Sequence, residues 1–328
     1  MRENVLEINN LKSYYKILKG DVKAVDDVTF KIKRGEILGL AGESGCGKST
    51  LASTLISLTP PLHYISGEVK LIGKDIMKMK QNDFRKMRLE NISVIPQYAL
   101  DAFSPTKKIK TYISDIVKEH GITPNKNFFK KVEERFDLVN LEISTLDRYS
   151  IELSGGMKQR VIMVLSSILD PDLLIADEIT SALDVSSQRF AANMLCNLRD
   201  EKIIGSSIFI THDLAILYQI ADRIMIMYAG QFTEIGPTDE IIKNPKHPYT
   251  KALINSLPQV GIQYKDTVLK GIKGAPPSLL NIEEGCRFRF RCPYKTEQCE
   301  KTPVREKIND EHFVSCFRWR EIGSGNNE

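Results

Sequence analysis

The stretch Gly42-Glu43-Ser44-Gly45-Cys46-Gly47-Lys48-Ser49-Thr50 decides the fold of this chain. It fits the pattern G-x-x-x-x-G-K-[ST], between an apolar segment typical of a buried strand, residues 36–41, and a helical segment, residues 51–58. Glycines let the backbone N–H groups of such a loop curve around a polyphosphate, and the positive end of the helix dipole adds to the attraction. The sequence therefore predicts a strand, a loop and a helix that together hold ATP.

Within this loop, two side chains have separate predicted tasks. The Lys48 ammonium offers a positive charge to the β and γ phosphates, and the Ser49 hydroxyl offers a ligand to Mg²⁺. The other predicted contacts with ATP come from Gly42, Ser44, Gly45, Cys46, Gly47 and Thr50.

A second apolar segment, residues 173–176, ends in the carboxylates Asp177 and Glu178. Ligands of a parallel sheet bind at the carboxyl ends of its strands, so this pair is placed where metal and water chemistry is needed. We assign Asp177 to the Mg²⁺ shell and Glu178 to the attacking water, which it would orient or deprotonate.

Apolar strand-like segments alternate with helical ones along the chain, at residues 36–41, 92–95, 173–176 and 207–210. This alternation predicts an α/β domain with a mainly parallel central sheet. Residues 25–32 alternate with period two, which predicts a flanking antiparallel β subdomain. A helical subdomain is predicted over about residues 98–170. Its candidate core side chains are Val117, Phe129, Val132, Phe136, Leu138 and Leu141.

The composition is that of an ordinary globular protein, with 42% hydrophobic and 27% charged residues. The first residues lack the apolar core of a secretory signal, so we expect the chain to stay in the reducing cytoplasm. The net charge of +4 is spread along the chain without a basic run, which argues against nucleic-acid binding.

Between the two halves of the predicted site lies Leu153-Ser154-Gly155-Gly156-Met157-Lys158-Gln159-Arg160. Here the chain resembles the ATP-binding subunits of ABC transporters, whose signature motif reads LSGGQ. The resemblance implies that Ser154, Gly155 and Gly156 cap the γ-phosphate of ATP bound to the opposite subunit. A helix N-terminus suits such an anion. Met157 replaces the usual glutamine, which affects a side-chain contact but not the backbone cap.

The resemblance extends to four further positions. It implies that Gln97 is the Q-loop glutamine, which senses Mg²⁺ and the permease, and that His212 is the switch histidine. Asp184 matches the D-loop, although Ile179 and Ser181 replace the usual Pro and Thr. Tyr15 matches the aromatic residue that stacks on adenine, with its neighbour Tyr14 as a competitor.

The last part of the chain is similar to the C-terminal region of oligopeptide and dipeptide importer ATPases, and nickel importers share much of it. The similarity lies in residues 245–253 and 274–279. We therefore predict a nucleotide-binding domain over residues 1–236 and a C-terminal extension over residues 237–328. The resemblance implies two transmembrane permease subunits, a second and non-identical cassette, an extracytoplasmic solute-binding protein, and a peripheral position on the cytoplasmic face of the membrane.

The extension contains Cys286, Cys292, Cys299 and Cys316, with five, six and sixteen residues between successive cysteines. Structural zinc usually takes cysteine pairs that are two to four residues apart, whereas a [4Fe-4S] cluster also takes four thiolates and tolerates other spacings. We predict a [4Fe-4S] cluster, with zinc, free thiols or a disulfide as alternatives. Some peptide-importer ATPases are similar in having a cluster here. Arg287, Arg289 and Arg291 lie between the first two of these cysteines, and we expect their positive charge to offset the negative charge of the cluster.

Two other classes of protein are alternatives to the motor subunit of a transporter. A soluble ABC protein of repair or translation would usually have two cassettes or a coiled-coil insert, and the sequence shows neither. A regulatory module that binds ATP without cleaving it is disfavoured by the presence of Lys48, Glu178 and His212.

Overall fold

The computed structural model describes residues 3–179, 185–256 and 271–322. The chain groups into two compact units, each built from several segments. The first unit takes the described residues within 1–6, 32–36 and 71–209, and the second takes those within 7–31, 37–70 and 210–328. The predicted division after residue 236 is a separate hypothesis about domains, and it stays a prediction.

The strands are β1 Asn4–Ile17, β2 Gly20–Lys33, β3 Ile37–Ala41, β4 Leu62–Leu71, β5 Lys74–Asp75, β6 Ile92–Ile95, β7 Leu173–Asp177, β8 Ser207–Ile210, β9 Arg223–Tyr228, β10 Gln231–Pro237, β11 Glu306–Lys307 and β12 Phe313–Val314. The α-helices are α1 Lys48–Ile56, α2 Gln81–Met87, α3 Ile109–Glu119, α4 Lys126–Leu138, α5 Gly155–Ser167, α6 Val185–Asp200, α7 Leu214–Ile220, α8 Thr238–Lys243, α9 Pro248–Asn255 and α10 Trp319–Ile322. Short 3₁₀ turns lie at Ala99–Ala102, Ile143–Asp147, Ser150–Glu152 and Glu297–Glu300.

The second unit contains a run of five neighbouring strands in the order β11-β12-β10-β9-β3. Strand β3 pairs with β9 in parallel, and the β9–β10, β10–β12 and β12–β11 pairs are antiparallel. Every residue of β3 is buried, as a parallel strand covered on both faces requires. The extension thus adds β11 and β12 to the edge of the strands that carry the phosphate loop.

In the first unit, β6 and β7 pair in parallel, with Ile92 opposite Leu173 and Ile95 opposite Ala176. All five residues of β7 are buried. The carboxyl ends of these two strands therefore meet at one edge of the sheet. The residues that follow each strand, Gln97 and Glu178, are brought close together by this register.

The predicted strands are confirmed, with β6 and β8 at the predicted bounds, β3 one residue shorter and β7 one residue longer. Parallel and antiparallel pairs together with many helices confirm the α/β class. Within residues 3–179, 185–256 and 271–322, no helix is both long and apolar enough to span a bilayer.

Helices α3, α4 and α5 lie within the predicted helical subdomain. Four of its predicted core side chains, at 117, 132, 136 and 141, are buried, and Phe129 is partly exposed. The prediction for Leu138 was wrong, because this side chain is 37% exposed while Val139 is 1% exposed. Val139 follows Phe136 by three residues and lies on the same side of the helix as Phe136. Leu138 is rotated about 200° from Phe136 around the helix axis.

Candidate functional site

The predicted site residues fall into two sets, one in each compact unit. The second unit holds Tyr15, the phosphate loop of residues 42–50 and His212. The first unit holds Gln97, Ser154, Gly155, Gly156, Asp177 and Glu178. Asp184 lies outside the described residues, so its D-loop assignment stays a prediction.

The phosphate loop requires glycine at its two ends. Gly42 and Gly47 have φ angles of 150° and 109°, outside the range that side chains favour. A Cβ atom on Gly42 would lie 2.2 Å from the carbonyl oxygen of Met227, and one on Gly47 would lie 2.0 Å from that of Ala24. The loop is therefore pressed against the backbone beneath it, and helix α1 begins directly after Gly47.

Lys48 is 5% exposed and bends back over the loop. Its ammonium donates hydrogen bonds to the carbonyl oxygens of Gly42, at 2.8 Å, and Glu43, at 3.1 Å. The Glu43 carbonyl also accepts from the Cys46 N–H at 3.3 Å. These contacts close the loop around its lysine. Burial raises the pKa of the Cys46 thiol, although the neighbouring Lys48 charge opposes this effect.

The structure separates the two candidate adenine aromatics. Tyr14 is 8% exposed, and its hydroxyl donates to the Asp26 carboxylate at 2.6 Å. Tyr15 is partly exposed, with its hydroxyl 3.2 Å from the Thr50 hydroxyl of the phosphate loop. Consecutive residues of a strand face opposite sides, so only Tyr15 points toward the loop.

His212 follows β8 and is exposed. The Thr211 N–H before it donates to the Leu40 carbonyl of β3, and Asp213 after it caps helix α7 through the Ala215 N–H. The backbone on both sides of this histidine is thus fixed by hydrogen bonds, while its ring is open to solvent.

In the first unit, the Gln97 amide donates to the Glu178 carboxylate at 2.8 Å. Asp177 is 7% exposed at the end of β7, and the next residue, Glu178, has a φ of 49°. A non-glycine residue in this left-handed region is strained, and such strain is frequent at functional sites. The Gln159 amide donates to the Ile179 carbonyl at 3.1 Å and ties this turn to helix α5.

Helix α5 begins as the resemblance implied. Ser154 is its N-cap, and the Ser154 hydroxyl accepts from the Met157 N–H at 3.3 Å. A Cβ atom added to Gly155 or Gly156 would meet nothing within 4 Å. The first turn of this helix therefore presents bare backbone at the surface of its unit, which suits an anion.

The four cysteines of the extension line one pocket, together with His247, Pro248 and Phe288. Burial raises the pKa of Cys286 to about 11 and that of Cys316 to about 12, and the neighbouring cysteines add to both shifts. Backbone hydrogen bonds from Phe288 and Arg318 oppose the shifts, since they favour the thiolate. Within the described ranges, no three or more His, Cys, Asp or Glu side chains are arranged to hold a metal ion.

Each of the three arginines between the first two cysteines has a carboxylate partner. Arg287 pairs with Asp26 at 2.5 Å and Arg291 pairs with Glu43 at 2.6 Å. Arg289 lies 3.3 Å from each of the Glu283 and Glu300 carboxylates. Each guanidinium is therefore matched by a carboxylate, and the offset of a cluster's charge stays a prediction.

Sequence reasoning missed Glu43, which occupies a variable position of the loop motif. Its backbone N–H donates to the Tyr249 hydroxyl at 2.9 Å, and its carboxylate receives two hydrogen bonds from Arg291. The partners of Glu43 are 206 and 248 residues away in the sequence, so no local pattern signals them.

Two family models match the chain. The ABC transporter model covers residues 25–181, and the model of the oligopeptide/dipeptide transporter C-terminal region covers residues 233–299. The chain is also 37% identical over 321 residues to the dipeptide transport ATP-binding protein DppD of Caldanaerobacter subterraneus subsp. tengcongensis. The matched region covers 97% of this chain and 98% of that protein. The chain belongs to the ABC transporter ATP-binding proteins.

Further ABC proteins are similar to this chain in sequence or in structure. The oligopeptide transport ATP-binding protein AppF of Bacillus subtilis is 37% identical over 326 residues, covering 96% of this chain and 97% of that protein. Among solved structures, a dimeric ATP-binding cassette, MJ0796 bound to ADP and Pi, matches with a TM-score of 0.62 and 23% identity, over 71% of this chain and 98% of that one. The structure of cbiO1 from Clostridium perfringens matches with a TM-score of 0.64 and 23% identity, over 74% and 91%. These structural matches show the cassette fold.

The loop glycines allow a stability test. We expect Gly47→Ala to lower the free energy of unfolding by at least about 3 kcal/mol, because the added Cβ would collide with the Ala24 carbonyl and hold a strained φ. Gly45→Ala should cost only about 1–2 kcal/mol, because Gly45 has a φ of 76° but open space around it. Urea unfolding of the nucleotide-free protein measures both. Equal costs would contradict the close packing of the loop.

Proposed function

We propose that this chain is the ATP-binding and ATP-hydrolysing motor subunit of an ABC importer for dipeptides or oligopeptides. One observation carries the proposal: relatives that match nearly the full length, both cassette and extension, are named as dipeptide and oligopeptide transport ATP-binding proteins. The family model of the C-terminal region adds support from a part of the chain that is not the ATP site.

The phosphate loop would hold the triphosphate, with the Lys48 ammonium offering its positive charge to the β and γ phosphate oxygens. A phosphate oxygen carries negative charge, so its hydrogen bond with the ammonium would be ionised on both sides. Tyr15 would stack on adenine and Ser49 would bind Mg²⁺.

The first unit would supply the chemistry of hydrolysis. Asp177 would complete the Mg²⁺ shell, and Glu178 would take a proton from the attacking water. Gln97 already donates to Glu178, and this hydrogen bond keeps the carboxylate oriented at the end of β7. His212 would contact the γ-phosphate from its strand end.

A second cassette would complete the motor. The bare N-terminus of α5 at Ser154, Gly155 and Gly156 would cap ATP bound to the opposite cassette, and Asp184 would contribute to the same interface. The related cassette MJ0796 is a dimer in its ADP- and Pi-bound structure, which supports a paired arrangement. Closure of the pair on ATP would do the conformational work, and hydrolysis would reopen it.

The partners implied by this function are two transmembrane permease subunits and a solute-binding protein outside the membrane. The chain would then lie peripherally on the cytoplasmic face. Nickel or another solute of the same branch is the alternative cargo, since a motor subunit does not itself contact the solute. A soluble ABC protein without a permease is the weaker alternative. The relatives named above match this chain over nearly their whole length, and both are named as transport ATP-binding proteins.

We further propose that Cys286, Cys292, Cys299 and Cys316 hold a [4Fe-4S] cluster. Two features support it: the four thiols share one pocket, and backbone N–H groups favour the thiolates of Cys286, Cys292 and Cys316. A single zinc ion needs all its ligands about 2.3 Å from one point, whereas a cluster takes each thiolate at a separate iron. Bound there, the cluster would supply a structural cross-link and a potential one-electron centre.

Glu178→Gln separates ATP binding from hydrolysis. We expect the rate of phosphate release by the purified protein to fall at least about 100-fold, because an amide cannot accept the proton of water, while the affinity for ATP stays within about threefold. Lys48→Ala should instead weaken ATP binding by at least about 100-fold. Phosphate release and equilibrium ATP binding give the two readouts.

The wild type and Glu178→Gln can also identify the cargo, when each is assembled with the permeases and the binding protein in vesicles. Dipeptides should stimulate the wild-type ATPase and leave Glu178→Gln inactive. Stimulation by Ni²⁺ alone would replace the peptide assignment, and near-wild-type hydrolysis by Glu178→Gln would remove Glu178 from the mechanism.

Metal analysis tests the cluster. We expect about four irons and four acid-labile sulfides per chain in protein purified without oxygen, and their loss in Cys292→Ser. Cys196→Ser is the matched control, since Cys196 lies outside the four-cysteine set, and it should keep its iron. One zinc and no iron would favour the zinc alternative, and neither metal would leave the cysteines as free thiols.

A further inference from the structure

The C-terminal extension contacts the phosphate loop at Glu43. The Arg291 guanidinium donates to both oxygens of the Glu43 carboxylate, at 2.6 and 2.9 Å. The Arg291 side chain is only 5% exposed, so this bidentate pair is shielded from solvent and salt on the arginine side.

Arg291 is itself held rigidly. Its remaining donors go to the backbone carbonyls of Ile272 and Lys273, and one Nη also reaches the Tyr228 hydroxyl at 3.2 Å. The arginine therefore has little freedom to follow the loop. Instead, the loop carboxylate is fixed to the position that the extension sets.

A second contact fixes the backbone of the same residue. The Glu43 N–H donates to the Tyr249 hydroxyl, and Tyr249 is fully buried. The Tyr249 ring packs 4.5 Å from Tyr228 and 5.4 Å from Phe288, measured between centroids. Phe288 also lines the cysteine pocket, so the aromatic cluster connects that pocket to the loop.

The segment His247-Pro248-Tyr249 positions this tyrosine. His247 caps helix α9, where its Nδ1 accepts the Tyr249 N–H at 3.0 Å. The backbone N–H of His247 donates to the buried carboxylate of Glu234 at 2.9 Å. The motif that sequence analysis associated only with a family branch therefore has a physical task, which is to hold the Tyr249 hydroxyl under the loop.

Glu43 in turn places the lysine of the ATP site. Its carbonyl oxygen accepts hydrogen bonds from the Lys48 ammonium and from the Cys46 N–H. We propose that Arg291 and Tyr249 are positioning residues, which clamp Glu43 by side chain and backbone and so preorganise Lys48 for ATP. This inference rests on the proposed ATP site and adds that the extension controls its affinity.

The clamp predicts a distinct kinetic signature. Preorganisation acts on bound substrate and transition state alike, so its loss raises Kd and KM for ATP while kcat is kept. We expect Arg291→Gln and Glu43→Gln each to weaken mant-ATP binding about tenfold in the presence of Mg²⁺, with kcat within about twofold. The double variant should be weakened about tenfold as well, since both single changes break the same pair.

Arg289→Gln is the matched control. Arg289 belongs to the same segment, is equally buried and pairs with Glu283 and Glu300, but it does not contact the loop. It should bind mant-ATP within about twofold of wild type. Tyr249→Phe removes only the hydroxyl and should weaken binding by a smaller factor, about threefold.

Several outcomes would overturn the clamp. Unchanged binding in Glu43→Gln, which alters only the loop side, would do so even if Arg291→Gln failed to fold. Equal weakening in Arg289→Gln would reduce the extension to a general stabiliser, and multiplied effects in the double variant would show that the two residues act independently. Failure of the wild type to bind mant-ATP would instead remove the proposed ATP site itself.

Discussion

The hydrogen bonds from the Lys48 ammonium to the carbonyl oxygens of Gly42 and Glu43 fix the shape of the phosphate loop. They can form only because Gly42 and Gly47 let the backbone pass within contact distance of the Met227 and Ala24 carbonyls. The buried strand β3 holds one end of the loop, and helix α1 holds the other. Contacts within the protein thus hold the loop in shape, which lowers the conformational cost of binding a phosphate.

The extension uses buried charge to reach the nucleotide-binding part of its unit. Arg287 and Asp26 are both almost fully buried, and the Tyr14 hydroxyl donates to the same carboxylate. Arg291 and Glu43 form a second pair, in which the arginine side chain is 5% exposed and the glutamate side chain 24% exposed. Buried ion pairs contribute little net stability compared with apolar packing, but breaking one leaves an uncompensated charge and is costly. They therefore fix which surfaces meet, and here they fix the cysteine segment against the phosphate loop and against the strand next to Tyr15.

Much of this could be predicted from the sequence, because the decisive signals are local. A continuous apolar run marks a buried parallel strand, and the glycine loop names its own flanking elements, so β6 and β8 were predicted at their true bounds. Tyr14 and Tyr15 could not be separated, since neighbouring strand residues face opposite sides and the sequence does not say which side is buried. The partners of Arg287 and Arg291 were missed for another reason. Pairings over more than 240 residues depend on how the whole unit folds, which no periodicity encodes.

The central claim is that residues 42–50 bind the phosphates of a nucleotide, and comparison of ATP, ADP and AMP by titration calorimetry tests it most directly. A loop that grips the β-phosphate through Lys48 should bind ATP and ADP with similar affinity and AMP at least about 100-fold more weakly, and Lys48→Ala should erase the difference. Equal affinity for the three nucleotides, or a preference that survives Lys48→Ala, would contradict the account.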